Sequence, residues 1–263
     1  MSTVEKNEKK SRLSAEETRE RLIVVGVQAL FEKGLSVGLD AVSLERSVVD
    51  AEVPRSSAYA AWSGDEGYTP QEFFQQAVLM RVVEARRDTY DLLMEDITAF
   101  MEAPPEGLSR PELLRELIRT SRTKNLQNVF GSRPWQIVFA VRTIMNTGDS
   151  PSLLDEELLA WMQTTEETLR NETIETLYKP MAKFFGLRPR PEYGDDAWHL
   201  LEVASSSLLE GLSMRFGLPA SDYFHGIAHP ETSDENWSIL ALLYDRLIHT
   251  FFEMIPDDEA ESG

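Results

Sequence analysis

The sequence predicts an all-α protein, and three observations carry that expectation. Apolar residues recur at helical spacing, as with Leu22, Val25, Ala29 and Leu30. Nowhere do they alternate with period two, and there is no internal repeat or low-complexity tract. Proline and glycine fall between the periodic stretches, at Pro104-Pro105 with Gly107, at Gly148 and Pro151, and from Gly186 to Pro189. The organisation expected is a flexible tail over 1–13, an N-terminal three-helix helix-turn-helix domain over 14–66, a larger C-terminal helical bundle over 67–255, and an acidic tail over 256–263.

In chain order, the tail holds Lys6, Lys9, Lys10 and Arg12, and reads either as an unstructured segment or as a basic arm. Ser14-Ala15-Glu16-Glu17 is a capping-box signature that opens the first helix, which Gly34 ends. Leu35 to Val42 is a connector. A long amphipathic helix is expected from Pro70 through Phe100, linking the small domain to the large one. Further helices are expected at about Arg110–Phe130, Arg133–Asn146 and Ser152–Phe185, with Pro180 kinking or dividing the last. Two more are expected at about Asp195–Phe216 and Asn236–Met254, joined by a loop rich in Pro, Gly, Ser and His.

The most informative stretch is Ser43 to Trp62. Ser43 is a good N-cap, and Leu44, Val48 and Ala51 keep an apolar face over a short helix. Pro54 cannot continue that helix but fits the start of a second. Arg55, Ser56 and Ser57 then occupy the end that meets base edges and phosphates when such a helix enters a major groove, while Ala58 and Trp62 point back to the core.

The order Ala51, Val53, Tyr59, Trp62 follows the A-G-V-x-x-x-x-x-Y-x-x-F pattern that closes the DNA-binding domain of TetR-type transcriptional regulators, and Ala29 to Gly34 resembles that family's first-helix ending. The resemblance covers roughly the first quarter of the chain. It implies a homodimeric regulator, a repressor, that binds a near-palindromic double-stranded DNA operator and responds to a small-molecule effector. It also implies that the last two long helices form the dimer interface. Ser43, Arg46, Arg55, Ser56, Ser57 and Tyr59 are the DNA-contacting candidates, with Arg55 placed for a guanine edge or a phosphate. The chain departs from the family in several places. Glu52 stands where a turn glycine is usual, so that either the turn is strained or its form differs. Ser47 and Val48 replace an Ile-Ala pair, and the connector after Gly34 is longer. Ser63, Gly64, Asp65 and Glu66 stand where a lysine is usual.

Composition bounds the alternatives. The chain has 263 residues, 42% hydrophobic and 27% charged, with no cysteine, so disulfides and thiolate metal sites are excluded. No apolar run approaches the length of a membrane span, and the first residues lack the apolar centre of a signal peptide, so a cytoplasmic protein is expected. The net charge is −19, but residues 1–62 hold 9 Lys/Arg against 10 Asp/Glu, and the remainder 17 against 35. A near-neutral head on an acidic body is compatible with DNA binding, though with weak non-specific attraction. The opposing reading is a dimeric small-molecule-binding or protein-interaction module that has lost DNA affinity, to which Glu52, Asp65 and Glu66 point.

No enzyme is expected. Ser205-Ser206-Ser207 lacks a nucleophile frame, and the carboxylates Glu166-Glu167 and Asp195-Asp196 read as a solvated face. His225 and His229, with Asp222 nearby, read as solvated loop histidines rather than metal ligands, and no cofactor is expected. An effector pocket is expected among the C-terminal helices. Its candidates are Trp135, Phe139, Trp161, Met162 and Trp198 as apolar walls, with Met145 and Phe216 as further candidates. Gln136, Arg142 and His199 are its polar candidates.

Overall fold

A computed structural model describes residues 13–34, 39, 41–62, 68–146, 156–216, 226–232 and 236–256, with the side chains of 142–146, 156–157 and 214–216 excepted. The basic residues Lys6 to Arg12, the segment Ser63 to Glu66, Gly148, Pro151, Asp222, His225 and the acidic tail lie outside the described residues. Among the described residues the elements are helices, with one small pair of strands and an isolated bridge between Ile227 and Trp237. It divides into two compact units, one up to Glu84 and the other from Ala85.

The first unit contains α1 (Ala15–Lys33), α2 (Leu44–Asp50), α3 (Arg55–Ala61) and α4 (Pro70–Ala85). The division places α4 with this unit rather than with the C-terminal bundle. Ser14 and Glu17 make the expected reciprocal capping box, which holds the Glu17 carboxyl below the usual carboxylate range. Gly34 closes α1 with positive φ. The buried line of α1 is Thr18, Leu22, Gly26 and Leu30, with Val25 and Ala29 only half-buried. At Gly26 the reason is the close approach of α4 side chains. A Cβ on Gly26 would stand 2.6 Å from a Val78 methyl and 2.7 Å from the Phe74 ring. Arg81 of α4 and Glu20 of α1 add a two-pronged ion pair at 2.7 Å for each contact.

The second unit begins with α5 (Arg87–Glu102). The single helix expected from Pro70 to Phe100 is interrupted at Arg86, with neither proline nor glycine to announce the break. Then follow α6 (Arg110–Gly131), α7 (Arg133–Asn146), α8 (Glu156–Thr173), α9 (Lys179–Phe185), α10 (Asp196–Phe216) and α11 (Ile239–Phe251). Pro180 divides the long helix as expected. It has no N–H for the Thr176 carbonyl, and the chain widens over Ile174–Tyr178 into a π-helical turn in which the Lys179 N–H reaches the Ile174 carbonyl. A core of Leu93, Leu117, Phe185, Leu201, Tyr244 and Ile248 joins α5, α6, α9, α10 and α11.

Two expectations are corrected here. The last helix, expected to run to about Met254, stops at Phe251, because β1 (Leu187–Pro189) pairs antiparallel with β2 (Phe252–Met254), a two-stranded sheet that leaves the all-α class standing. Three-residue strands are too short to show alternation. His229 is not solvated but buried: its Nδ1 accepts from the Glu231 N–H at 3.2 Å, leaving the Nε2 proton to face Asp245 at 3.4 Å. Its ring lies 4.5 Å from that of Trp237. Glu231 beside it bridges Arg246 and Arg115, and Arg246 holds its carboxyl below the usual range.

Gly26→Ala should destabilise the protein by up to about 2 kcal/mol in urea unfolding. A clash costing about 1–3 kcal/mol outweighs the roughly 1 kcal/mol that alanine gains in a helix. A stabilised variant would mean that α1 and α4 are not in this contact. Glu52 is the one described non-glycine residue with positive φ, at 53°. Glu52→Gly should therefore raise stability by about 0.5–1 kcal/mol, whereas Glu52→Ala should leave it unchanged.

Candidate functional site

Two places in the fold gather groups that could meet a partner. The first is the α2–α3 pair. Ser43 caps α2 through its side-chain oxygen, which accepts from the Arg46 N–H at 3.3 Å. The start of α2 is held by α4. Gln71 accepts from the Leu44 N–H at 2.8 Å and donates to the Val42 carbonyl at 2.7 Å, and Gln75 donates to the carbonyls of Leu39 and Val42. The far end of α3 is held by α1, where Arg19 Nε donates to the Ala61 carbonyl at 2.5 Å. Pro54 precedes α3, and Ala58 and Trp62 turn inward, as expected. Trp62 meets Phe74 edge-on at 5.8 Å.

The outward residues decide what this pair could touch. Arg46, Arg55 and Ser56 are exposed, while Ser43, Ser57 and Tyr59 are half-buried. Arg55 lies 5.5 Å from the Tyr59 ring centre and makes an ion pair with Glu45 at 3.3 Å, both side chains being largely exposed. Glu45, Asp50 and Glu52 are exposed on the same two helices and their turn, as is Val49 at 71%. All six DNA-contact candidates are therefore close together in the chain and at least partly accessible, but acidic groups stand among them.

The second place is a cavity of about 340 Å³ inside the C-terminal unit, bounded by α5, α6, α7, α8, α10, α11 and the π-helical turn. Its wall is not simply apolar. Arg86, only 2% exposed, pairs with Glu166, and its guanidinium stands 5.2 Å from the Trp135 ring centre. Arg170 pairs with Glu202 at 2.8 Å, and Ser206 donates to the other Glu202 oxygen. Arg122 stacks 3.7 Å above the Tyr244 ring and makes no ion pair among the described residues. Burial pushes the Tyr244 hydroxyl well above the ordinary tyrosine value, against the pull of Arg122. That hydroxyl lies near Arg122 and Tyr178 but in good hydrogen-bonding geometry with neither. Tyr178 instead meets Ser205 at 2.9 Å.

Of the expected pocket residues whose side chains are described, Trp135 alone lines this cavity. Gln136 is spent on the Phe130 carbonyl and on Arg133, and Phe139 packs on Trp135. Met162 is buried and Trp161 half-buried away from the cavity, Trp198 packs on Phe252 in the core, and His199 is exposed. The side chains of Arg142, Met145 and Phe216 lie outside the described residues. The carboxylate Glu166, read from sequence as part of a solvated face, is instead the half-buried partner of Arg86. The lining residues that sequence reasoning missed include the charged ones, Arg86, Arg122, Glu166, Arg170, Glu202 and Glu210. One signal was available: Ile118, Arg122 and Leu126 follow each other at intervals of four, so Arg122 continues a buried line.

Comparison with protein-family models, curated proteins and solved structures returned no match.

Glu166→Ala should cost about 2–4 kcal/mol, because it strands a buried guanidinium. The double variant Arg86→Met/Glu166→Gln should recover most of that loss in urea unfolding. An additive loss in the double variant would show that the pair is not coupled.

Proposed function

We propose that this chain is a TetR-like homodimeric DNA-binding regulator, a ligand-responsive repressor whose α2–α3 pair reads a near-palindromic operator. The observation that carries the reading is the build of that pair: a capped helix, a turn of positive φ at Glu52, a proline-started second helix, and Ala58 and Trp62 buried beneath it. Long-range hydrogen bonds at both ends give the rigidity that groove reading needs. Arg55 and Arg46 supply the positive charge, and Ser56, Ser57 and Tyr59 further donors. The Glu45–Arg55 pair is no obstacle, since an exposed ion pair is worth only about 0–1 kcal/mol. In the C-terminal unit, the cavity takes the effector, whose binding shifts the population between operator-competent and released states.

The dimer forms through α10 and α11. Leu200 and Val203 on α10 and Leu243 on α11 remain exposed, whereas Leu201, Leu212 and Leu240 from the same stripes are consumed by the protein's own core. Two copies then present recognition helices about 34 Å apart, one turn of the DNA double helix.

A second reading rests on a specific observation, the three exposed acids among the two exposed arginines of the α2–α3 pair. In that reading the protein is a dimeric ligand-binding module without DNA affinity. The deciding experiment is binding of the full chain to DNA from upstream of its own gene, across a salt series. The regulator reading expects saturable binding that weakens with salt. Arg55→Ala should lose about tenfold or more, Glu45→Gln should tighten binding, and Val203→Glu should weaken it by splitting the dimer. Absence of specific binding at low salt would establish the second reading.

A further inference from the structure

Given the cavity as a small-molecule site, as proposed above, its lining specifies the chemistry of the occupant. We propose that it binds an organic monoanion, a carboxylate on an apolar body, with Arg122 as the group that receives the carboxylate.

Three arginines line the cavity, and they are not equivalent. Arg86 is matched by Glu166 and Arg170 by Glu202, while the third lining carboxylate, Glu210, is half-buried and has an interaction of its own. Arg122 is 6% exposed, has no carboxylate partner among the described residues, and its Nη2 has no hydrogen-bond acceptor there. The Tyr244 ring beneath it attracts the charge but accepts none of its N–H groups in plane. A guanidinium this buried is strongly disfavoured unless a negative group joins it.

The unmet hydrogen bonds point the same way. In the lining they belong to Arg122 Nη2, Arg86 Nε, Trp135 Nε1 and the Tyr244 hydroxyl. Three of these are donors only, and the fourth, a hydroxyl, can donate as well as accept. The missing partner is therefore rich in acceptors. A carboxylate offers two oxygens that match the edge of a guanidinium. An ammonium would instead add a positive charge beside Arg122, which no carboxylate answers. A phosphate dianion would exceed the single uncompensated charge. Leu93, Leu169, Leu177, Leu209, Leu240 and the Trp135 ring supply the apolar remainder of the wall. A volume of about 340 Å³ is at the small end of the roughly 300–1,000 Å³ typical of ligand cavities.

The test is isothermal titration of the full chain, without DNA, with hexanoate, decanoate, phenylacetate and indole acetate, beside decanol, phenylethanol and decylamine. At least one carboxylate should bind at least tenfold more tightly than its alcohol. Arg122→Gln should lower carboxylate affinity by about 10- to 100-fold and leave alcohol affinity unchanged. Arg122→Lys, which keeps the charge but not the fork, should fall between. Should Arg122→Gln fail to fold, the carboxylate-to-alcohol ratio of the unaltered protein decides. Equal binding of alcohol or amine, an unchanged affinity in Arg122→Gln, or no binding by any carboxylate overturns the proposal. Carboxylate binding by a protein that shows no DNA binding would leave the anion site standing and remove only the regulator.

Discussion

Burial of guanidinium groups is the constraint around which the C-terminal unit is arranged. Removing such a charge from water costs several kcal/mol even after relaxation, so each buried arginine dictates what must stand beside it. Arg86, at the break before α5, is answered by Glu166 on α8, and Arg170 on α8 is answered by Glu202 on α10. Those two pairs set the position of α8 along its length. Apolar packing alone tolerates a shift more readily, because one aliphatic contact replaces another. The cavity follows from the same chemistry. A layer built of ion pairs, hydroxyls and an arginine–tyrosine stack cannot interdigitate as leucines do, and it leaves space where its polar groups point.

The N-terminal unit depends on a different contact. Gly26 lets α1 and α4 approach until Phe74 and Val78 fill the space a side chain would occupy. With α4 that close, Gln71 and Gln75 reach the backbone of the connector and fix the residue at which α2 begins. Ser43 then caps α2, and Arg19 on α1 closes the other end of the pair at Ala61. The α2–α3 unit is thus short but braced by partners 27 and 42 residues away in the chain. Neither of its seven-residue helices would persist alone, since isolated helices under about 12–15 residues are marginal in water.

What could be read from the chain in advance follows from how local each signal is. The cap at Ser43, the start at Pro54 and the inward turn of Ala58 and Trp62 are decided within a few residues, and all four are found. Pro180 also acts locally, and divides its helix where it stands. The buried line of α1 departs from the spacing of Leu22, Val25, Ala29 and Leu30 because it includes Thr18 and Gly26, which are not apolar, and at Gly26 it is Phe74 and Val78 of α4 that close over the backbone. His229 was misread because its burial is supplied by Trp237 and Asp245, which the surrounding Pro- and Gly-rich sequence does not announce. The cavity was sought among aromatic and methionine side chains, yet most of those serve the core. Its distinguishing groups are charged residues in core-facing positions, such as Arg122 between Ile118 and Leu126, where a charge by itself signals solvent rather than interior.

The two arginines at the centre of the functional readings differ in what their surroundings cost, and that difference decides how much chemistry each reveals. Arg55 is exposed and loosely paired with Glu45, so water satisfies it in any state and its partner can be exchanged for less than about 1 kcal/mol. Such a residue is compatible with a phosphate, a guanine edge or nothing, and its position in the helix pair, not its energetics, recommends it. Arg122 has no such freedom. Each buried donor left without an acceptor costs about 1–3 kcal/mol, more when the group is charged. A ligand of the opposite sign answers that cost directly. Part of the binding energy of such a ligand is already stored in the unliganded core, as the unmet donors of Arg122, Arg86 and Trp135. The same stored penalty makes the cavity selective, since a neutral molecule of equal size fills the space without answering the charge.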